Sequence, residues 1–187
     1  MELNWTSFPA IYTERLELNA LIPEDVEDLF KLRSEEESMK YIGRKMAVTL
    51  QDAQELMDRT HELFKNEEGI NWGIKEKGSS TLMGTIGFYR MKKEHYRAEV
   101  GYQLRLPFLR KGFMHEALKA VVEYGFKEMK WHTIEADVNP DNIASRKLLE
   151  KNDFTLNGFF KDSFFFDGKF YDSVIYSKLS PYTFEYK

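Results

Sequence analysis

Hydrophobic residues recur at intervals of three and four in several segments of the chain, and this spacing predicts amphipathic helices. One such segment runs from Thr49 to Lys65, with Thr49 as the expected N-cap. Another follows Pro23, because a proline succeeded by two acidic residues suits the first turn of a helix. A third helix is expected downstream of Gly112. Its apolar positions are Ala117, Leu118, Val121, Val122, Phe126 and Met129.

A fourth helix is expected from about Pro140 to Lys151, with Asn139 as the N-cap and Pro140 at the first helical position. Apolar segments bounded by turn residues predict strands. They cover residues 12–20, 70–76, 81–89, 98–104, 132–138, 154–166 and 169–178. Asp167-Gly168 joins the last two as a tight hairpin. Antiparallel strands first, and then strands alternating with helices, indicate an α/β fold with a mixed sheet.

The composition is that of one ordinary globular domain spanning residues 1–187, with 42% apolar and 15% aromatic residues. The 27 basic and 31 acidic residues give a net charge of −4, which suits a cationic substrate better than non-specific nucleic-acid binding. The chain has no cysteine, which excludes a disulfide scaffold, thiolate catalysis and cysteine-ligated metal. The histidines show no metal-binding spacing, so no metal site is expected. No long apolar segment or signal peptide is present, and a cytoplasmic protein without membrane contact is expected.

A short basic turn separates the strand at residues 98–104 from the helix that follows it. The turn reads Leu109-Arg110-Lys111-Gly112. The unpaired N–H groups at a helix start carry partial positive charge and bind phosphate. Arg110 and Lys111 add charge there, and Gly112 lets the backbone approach a ligand closely. The turn is therefore a candidate phosphate site, and the alternative is a solvated connection with incidental cations.

Short motifs spread over nearly the whole chain carry a resemblance to a known family. They are Thr13-Glu14-Arg15-Leu16, residues 82–88, Glu99-Val100-Gly101-Tyr102, Arg110-Lys111-Gly112-Phe113, His115-Glu116-Ala117, Asn142 with Ser145, Glu150-Lys151-Asn152-Asp153-Phe154 and residues 168–172. In their order and spacing these motifs resemble the GNAT N-acetyltransferases. More narrowly, they resemble the branch that includes the ribosomal-protein N-terminal acetyltransferases.

The resemblance implies a GNAT fold, an α/β fold with a mostly antiparallel central sheet of about seven strands and about four flanking helices. It implies acetyl-CoA as the co-substrate. It also implies that the strand at residues 98–104 splays from its parallel neighbour, leaving backbone groups free for pantetheine and an N–H near Leu104 for the thioester oxygen. The residues that it assigns to the cofactor are Tyr102, Gln103, Leu104, Arg110, Lys111, Gly112, Phe113, Met114, His115, Asn139, Asn142 and Ser145.

Glu99 is the candidate general base. It lies between the apolar residues Ala98 and Val100 on a strand that enters the expected site. A carboxylate near an apolar cleft tends to have a raised pKa, which suits a base that operates near neutrality. The alternative is a surface carboxylate paired with Arg97 or Arg105.

Ser145 is the second catalytic candidate. By resemblance it matches a serine proposed to protonate the departing thiolate. Many GNAT enzymes use instead a tyrosine four positions later, where this chain has Leu149. Asn142 and Ser145 are three residues apart and therefore share one face of the helix. The alternative role for Ser145 is capping of the helix N-terminus.

The resemblance implies an acyltransferase that moves an acetyl group to a primary amine, such as the N-terminal amine of a ribosomal protein. A small amine, such as a polyamine or an aminoglycoside, is an alternative acceptor. A non-catalytic acyl-CoA-binding module is the alternative from another functional class. The aromatic residues between 159 and 171 form either strand core or a lining for the entry of the amine. Homodimer formation is left open.

Overall fold

The computed structural model describes residues 5–185. The strands in this range are β1 (Ile11–Tyr12), β2 (Leu16–Asn19), β3 (Ile70–Glu76), β4 (Leu82–Lys92), β5 (Arg97–Leu104), β6 (Thr133–Val138), β7 (Thr155–Phe166) and β8 (Lys169–Leu179). They form one eight-stranded sheet in the order β1-β2-β3-β4-β5-β6-β8-β7. Neighbouring strands are antiparallel throughout, except that β5 and β6 are parallel.

Helices cover both faces of this sheet. The α-helices of the described range are α1 (Val26–Ser34), α2 (Glu36–Met39), α3 (Leu50–Lys65), α4 (Phe113–Lys127) and α5 (Ile143–Lys151). Successive residues of a strand point to opposite faces. In β3, Trp72 joins the buried cluster under α4 and α5, whereas Gly73 faces Leu21 and Leu82 in the cluster under α1 and α3. The sheet is therefore the middle layer of three.

The α/β fold with a mixed sheet is confirmed, although the counts differ from those expected. The segment 12–20 forms two strands, because Thr13 turns the chain back on itself: its N–H donates to the Leu16 carbonyl and its Oγ1 accepts from the Leu16 N–H, both at 3.0 Å. The additional helix, α2, has four residues and is too short to show a helical period. No helix within residues 5–185 is long and apolar enough to cross a membrane.

The expected ends of several elements are also confirmed. Thr49 is the N-cap of α3, and its Oγ1 accepts from the Asp52 N–H at 3.3 Å. The last hairpin turns at Asp167 and Gly168, whose φ values of 48° and 77° are those of a two-residue hairpin turn with left-handed backbone. The helix after Pro23 begins with one 3₁₀ turn and continues as α1.

Candidate active site

The parallel strands β5 and β6 separate in the middle of the sheet. They pair at three positions, the last of which is Glu99 opposite Glu135. Beyond it β5 continues to Leu104 and β6 continues to Val138. A cleft of about 680 Å³ lies at this opening and is lined by residues of both strands. The expected splay of β5 from its parallel neighbour is thus present in the sheet.

The backbone of β5 turns free polar groups toward the opening. The Arg105 N–H donates to the Met83 carbonyl of β4 at 2.9 Å. Backbone groups along a strand alternate between its two sides, so the N–H groups of Tyr102 and Leu104 point away from β4. They face the side from which β6 has departed. A ligand in the opening could pair with this edge as a further strand would.

Side chains of β5 reach the cleft from two faces of the sheet. By strand alternation Glu99 and Gln103 point to the face covered by α1, while Tyr102 points to the face covered by α4 and α5. The Gln103 amide is fixed there, because its Nε2 donates to the carbonyls of Leu32 and Ser38, both at 3.0 Å. The side chain of Gln103 therefore lies on the face opposite Tyr102, and only its backbone remains for the role assigned by resemblance.

Glu99 is a half-buried carboxylate in this cleft, with 26% of its side chain exposed. Burial raises the pKa of Glu99 above the ordinary range of a glutamate, and the nearby carboxylates of Asp137 and Glu135 act in the same direction. Arg90 opposes this effect, since its Nη1 lies 2.8 Å from Glu99 Oε2. The pKa of Glu99 is raised because the effect of desolvation on it is larger than the opposing effect of the pairing with Arg90.

The partner of Glu99 differs from the two arginines considered from the sequence. Arg97 pairs instead with Glu135 on the neighbouring strand. Arg105 is buried and pairs with Asp28 of α1 at 2.9 Å. Arg90 was not visible as a partner in the sequence, because its backbone has a positive φ of 44° near the irregular end of the β4–β5 ladder.

The expected start of the last helix is wrong by three residues. Helix α5 begins at Ile143, and its N-cap is Asn142, whose Oδ1 accepts from the Ser145 N–H at 3.1 Å. Asn139 instead forms a turn before the helix: its Oδ1 accepts from the Asp141 N–H and its carbonyl accepts from the Asn142 N–H, both at 2.9 Å. An asparagine side chain competes well for such local bonds, and this delays the helix.

The capping geometry leaves the hydroxyl of Ser145 free for another partner. Ser145 gives its N–H to the cap, and its Oγ lies 2.8 Å from the hydroxyl of Tyr102. Burial raises the pKa of Tyr102 to about 12, so this phenol keeps its proton at neutral pH. Leu149 is fully buried in the core beneath α4 and α5 and does not line the cleft. The phenol beside Ser145 therefore comes from β5 rather than from α5.

The basic turn leads into a helix start that can hold a phosphate. Gly112 is the N-cap of α4 with φ +82°, and the Glu116 N–H donates to its carbonyl at 3.1 Å. The three N–H groups before Glu116 in this first turn have no carbonyl one turn earlier in the helix. Phe113 and Met114 are buried, so their backbone rather than their side chains is open to a ligand. Arg110 and Lys111 are exposed.

Glu116 ties this helix start to the N-terminal hairpin. Its Oε1 accepts from Thr13 Oγ1 at 2.6 Å and from the Arg15 N–H at 2.8 Å, and its Oε2 lies 2.6 Å from Arg15 Nε. Arg15 also donates to the Lys111 carbonyl at 3.1 Å and stacks over the Phe113 ring. The motif at residues 13–16 thus supports the phosphate turn structurally.

His115 lies apart from the main cleft. It lines a second cleft of about 300 Å³ together with Lys119 and Lys151. Burial and these two cations lower the pKa of His115. Among the residues assigned to the cofactor, the main cleft brings together Tyr102, Gln103, Asn139, Asn142 and Ser145. Residues 110–112 form the turn before α4, and residues 113–115 lie in its first turn.

The face of the cleft that carries Glu99 has further polar residues that sequence reasoning missed. Tyr89 of β4 stands opposite Glu99, and Arg33 and Arg44 approach from α1 and from the loop before α3. The tip of the β7–β8 hairpin covers this side, since the ring of Phe164 lies against Gly43 where a Cβ would overlap it. Strand alternation could have identified Tyr89, but no local pattern marks the arginines.

Comparisons with known proteins agree with this architecture. A family model described as "Acetyltransferase (GNAT) domain" matches residues 15–155. YoaA of Bacillus subtilis, which carries the name of an N-acetyltransferase, is 34% identical over 174 residues, covering 93% of this chain and 98% of YoaA.

Solved structures show the same fold. A GNAT-family acetyltransferase from Bacillus anthracis superposes with a TM-score of 0.83 at 28% identity, covering 92% of this chain and 99% of the other. An acetyltransferase from Salmonella typhimurium that modifies the N-terminal serine of ribosomal protein L7/L12 superposes with a TM-score of 0.82 at 20% identity. That match covers 91% of this chain and 99% of the other, and at this identity it concerns the fold alone.

Proposed function

This chain belongs to the GNAT acetyltransferase family and moves an acetyl group from acetyl-CoA to an amine, and we propose that the amine is the N-terminus of a peptide or protein. The observation that carries the mechanism is the half-buried carboxylate of Glu99 at the opening between β5 and β6. On the other face of the same opening lies the hydrogen-bonded pair of Tyr102 and Ser145. Membership of the family supports an enzyme rather than a non-catalytic acyl-CoA-binding module.

In this proposal Glu99 is the general base. It takes a proton from the substrate ammonium, directly or through one water, and leaves the neutral amine that can attack the thioester carbonyl. The raised pKa supports this role, because a more basic carboxylate accepts the proton more readily near neutral pH. Arg90 keeps enough of the carboxylate ionised to act.

Two further charges develop during the reaction, one on the carbonyl oxygen and one on the departing sulfur. The backbone N–H of Leu104 points into the opening and donates to the carbonyl oxygen as negative charge develops on it. Ser145 gives its proton to the departing sulfur and receives the proton of Tyr102 through their hydrogen bond, and a proton from water, equal to the one that the attacking nitrogen releases, returns to Tyr102. Acetyl-CoA supplies the acetyl group as an activated thioester. The start of α4 holds its phosphates through backbone N–H groups, with Arg110 and Lys111 adding positive charge.

The charge of the cleft supports a peptide acceptor over a polycationic one. Five basic side chains line it against three acidic ones, although the whole chain has a net charge of −4. The basic residues are Arg33, Lys40, Arg44, Arg59 and Arg90, and the acidic residues are Glu99, Asp137 and Asp172. Polyamines and aminoglycosides carry several positive charges and would be repelled here. The shared fold with an enzyme that modifies a ribosomal-protein N-terminus is consistent with this choice.

Release of free thiol from acetyl-CoA tests the proposal. The acceptors are short peptides beginning with serine or alanine, the same peptides with a blocked N-terminus, spermidine and kanamycin. We expect thiol release with the free peptides and little with the blocked peptides or the polycations. Acetylation of spermidine or kanamycin without any acetylation of peptides would show that the acceptor is a small polyamine-like molecule instead.

A further inference from the structure

Two arginines on the acceptor side of the cleft have no acidic partner among the described residues. Arg33 lies in the last turn of α1, and Arg44 lies in the loop that precedes α3. Both line the cleft that contains Glu99. Within residues 5–185, the ion pairs of this cleft involve Arg90 and leave Arg33 and Arg44 without a carboxylate within 4.0 Å. Two unpaired guanidinium groups therefore converge on one wall.

Arg33 is held firmly in this position. Its Nη1 donates to Gln103 Oε1 at 3.1 Å, and Gln103 is itself anchored by two carbonyl groups of the α1–α2 region. Burial and the charge of Arg44 both lower the pKa of Arg33, which reflects the cost of partly burying Arg33 near a second cation. An anion that bound between them would remove this repulsion.

Two groups beside these arginines are neutral, and the carboxylates that line the cleft form no ion pair with Arg33 or Arg44 within residues 5–185. Tyr89 lies near both arginines, and burial raises its pKa to about 12, so it remains a neutral phenol near pH 7. Asn71 lines the same cleft, and its Oδ1 is buried without a hydrogen-bond partner in the described part of the chain. Tyr89 can donate a hydrogen bond to an anion, whereas Asn71 Oδ1 can accept one from an N–H group.

The wall is partly covered, because Arg33 is half-buried whereas Arg44 is exposed. Phe164 from the β7–β8 hairpin lies against Gly43, next to Arg44 in the chain. Phe165 and Phe166 line the cleft from the same hairpin. Charge-assisted hydrogen bonds from arginine are stronger where water is excluded, and a guanidinium matches the geometry of a carboxylate or a phosphate.

We propose that Arg33 and Arg44 bind an anionic group, a carboxylate or a phosphoryl group, that the amine acceptor itself carries. This inference rests on the proposed function, because it assigns a subsite within the acceptor side of the same cleft. For a peptide acceptor it means an acidic or phosphorylated residue close to the N-terminal amine. For a small acceptor it means a phosphorylated or carboxylated amine. Tyr89 donates to the same anion, and Asn71 accepts from an N–H of the acceptor.

Binding to the CoA-saturated protein tests this subsite without requiring turnover. Saturation with CoA occupies the phosphate site of α4, so added anions report on the acceptor side. The first arm uses serine-initiated tetrapeptide amides with one aspartate at the second, third or fourth position, each compared by calorimetry with its asparagine counterpart. The second arm compares phosphoethanolamine with ethanolamine. Because the two members of each pair differ mainly in the anionic charge, their affinity ratio measures its contribution.

We expect the anionic member of at least one pair to bind about 10- to 100-fold more tightly, as for a hydrogen bond to a charged group. The preference should shrink as ionic strength rises. A preference in the first arm identifies a peptide source of the anion, and a preference in the second arm identifies a small phosphorylated amine. In Arg44→Gln the affinity ratio should fall toward one. The control is Lys45→Gln, because Lys45 is a neighbouring exposed cation that does not line the cleft. The affinity ratio should be unchanged in this control.

Equal affinities within every pair, or an equal loss of the preference in Arg44→Gln and Lys45→Gln, would overturn the anion subsite. Unchanged CoA affinity in both variants verifies that they are folded. These results are separate from those of the thiol-release assay. Acetylation of neutral peptides without any preference for an anion would support the peptide acceptor and overturn the subsite. Tight binding of phosphoethanolamine without acetylation of peptides would support the subsite and overturn the peptide acceptor.

Discussion

The hydroxyl of Tyr102 lies 2.8 Å from Oγ of Ser145, and this hydrogen bond joins β5 to α5 across the opening in the sheet. The hydroxyl of Ser145 is therefore not used to cap the helix. The cap of α5 is the side chain of Asn142, to which Ser145 contributes only its N–H. The serine hydroxyl is thus left beside a phenol that stays protonated at neutral pH.

We expect Ser145→Ala to slow turnover while acetyl-CoA still binds, because the departing sulfur loses its proton donor. A positioned acid typically contributes about 100- to 10,000-fold. Tyr102→Phe should also slow turnover. The double variant should be little worse than the slower single variant, since the two hydroxyls act as one unit. Single-turnover rates of thiol release and calorimetric titration with acetyl-CoA measure the two effects separately.

Ser145→Thr is the matched control because it keeps a hydroxyl at the same position. It should retain most of the turnover. Both substitutions at residue 145 should change the free energy of unfolding by no more than about 1 kcal/mol, the usual contribution of one hydrogen bond. If Ser145→Ala turned over as fast as the parent protein, the sulfur would leave without help from this pair.

Glu99→Gln should keep the affinity for acetyl-CoA and lower kcat by about 100- to 10,000-fold, because the side chain keeps its shape but loses its basicity. In the parent protein kcat/KM should rise with pH through the pKa of Glu99, which burial raises above the ordinary glutamate range. The measurement is the pH profile of kcat/KM with one saturable peptide acceptor.

The same profile tests the pairing with Arg90. Because Arg90 lowers the pKa of Glu99, Arg90→Gln should move the acid limb of the profile to higher pH. Lys92 is an exposed cation on the same strand and provides the control Lys92→Gln, which should leave the limb in place. An acid limb that moved equally in both variants would reflect general loss of positive charge rather than the contact with Glu99.

The sequence predicted the fold better than it predicted the contacts within the site. The period of α4 and the apolar segments of β3 and β4, which are bounded by turn residues, depend on neighbouring residues, so they were readable. The start of α5 was not, because Asn139 and Asn142 are equally good caps and the turn at Asn139 decided between them. The local competition of one side chain for the Asp141 N–H set the boundary.

Residues of the acceptor side were hidden for a different reason. Arg33 and Arg44 come from segments about 50 residues or more away from Glu99 in the chain, and only the fold brings them to one cleft. Tyr102 was selected for its backbone, whereas its hydroxyl reaches Ser145 through a packing of α5 that no local pattern encodes. Such long-range placement lies beyond periodicity and motif spacing.

The left-handed backbone of Gly112 allows a direct test of the phosphate turn. Gly112→Ala forces a side chain onto a residue with φ +82°, which should both strain the turn and weaken CoA binding. Gly78 has a similar φ of +76° and open space around it. Gly78→Ala is therefore a control that imposes comparable strain in the turn between β3 and β4, outside the basic turn. Both variants should lose about 1–2 kcal/mol of stability.

Of the two glycine variants, only Gly112→Ala should lose affinity for CoA in calorimetric titrations. Lys111→Ala should weaken binding modestly and make it less dependent on salt, because its contribution is a screened surface charge. Equal CoA affinity in Gly112→Ala and Gly78→Ala would mean that the phosphates bind elsewhere, and the start of α4 would then have only a structural role.

The stability that Glu116 contributes to the folded protein should be lost in acid. Burial alone would raise the pKa of Glu116, but the hydrogen bonds from Thr13 and Arg15 outweigh it and hold the pKa below the ordinary value. A carboxyl with a lower pKa in the folded state adds stability above its unfolded pKa of about 4.3, and this stability is lost as the pH falls through the folded value.

Glu116→Gln should therefore lower the free energy of unfolding by about 1–3 kcal/mol near neutral pH, the cost of weakening hydrogen bonds to a charged group. The difference from the parent protein should shrink in acid. Urea unfolding at about pH 7 and at about pH 3.5 measures it. Glu62→Gln removes an exposed carboxylate from α3 and should change little at either pH. A difference that stayed constant with pH would mean that the hydrogen bonds of Glu116 do not depend on its charge, and the hairpin at Thr13 would then hold α4 without an ionised carboxylate.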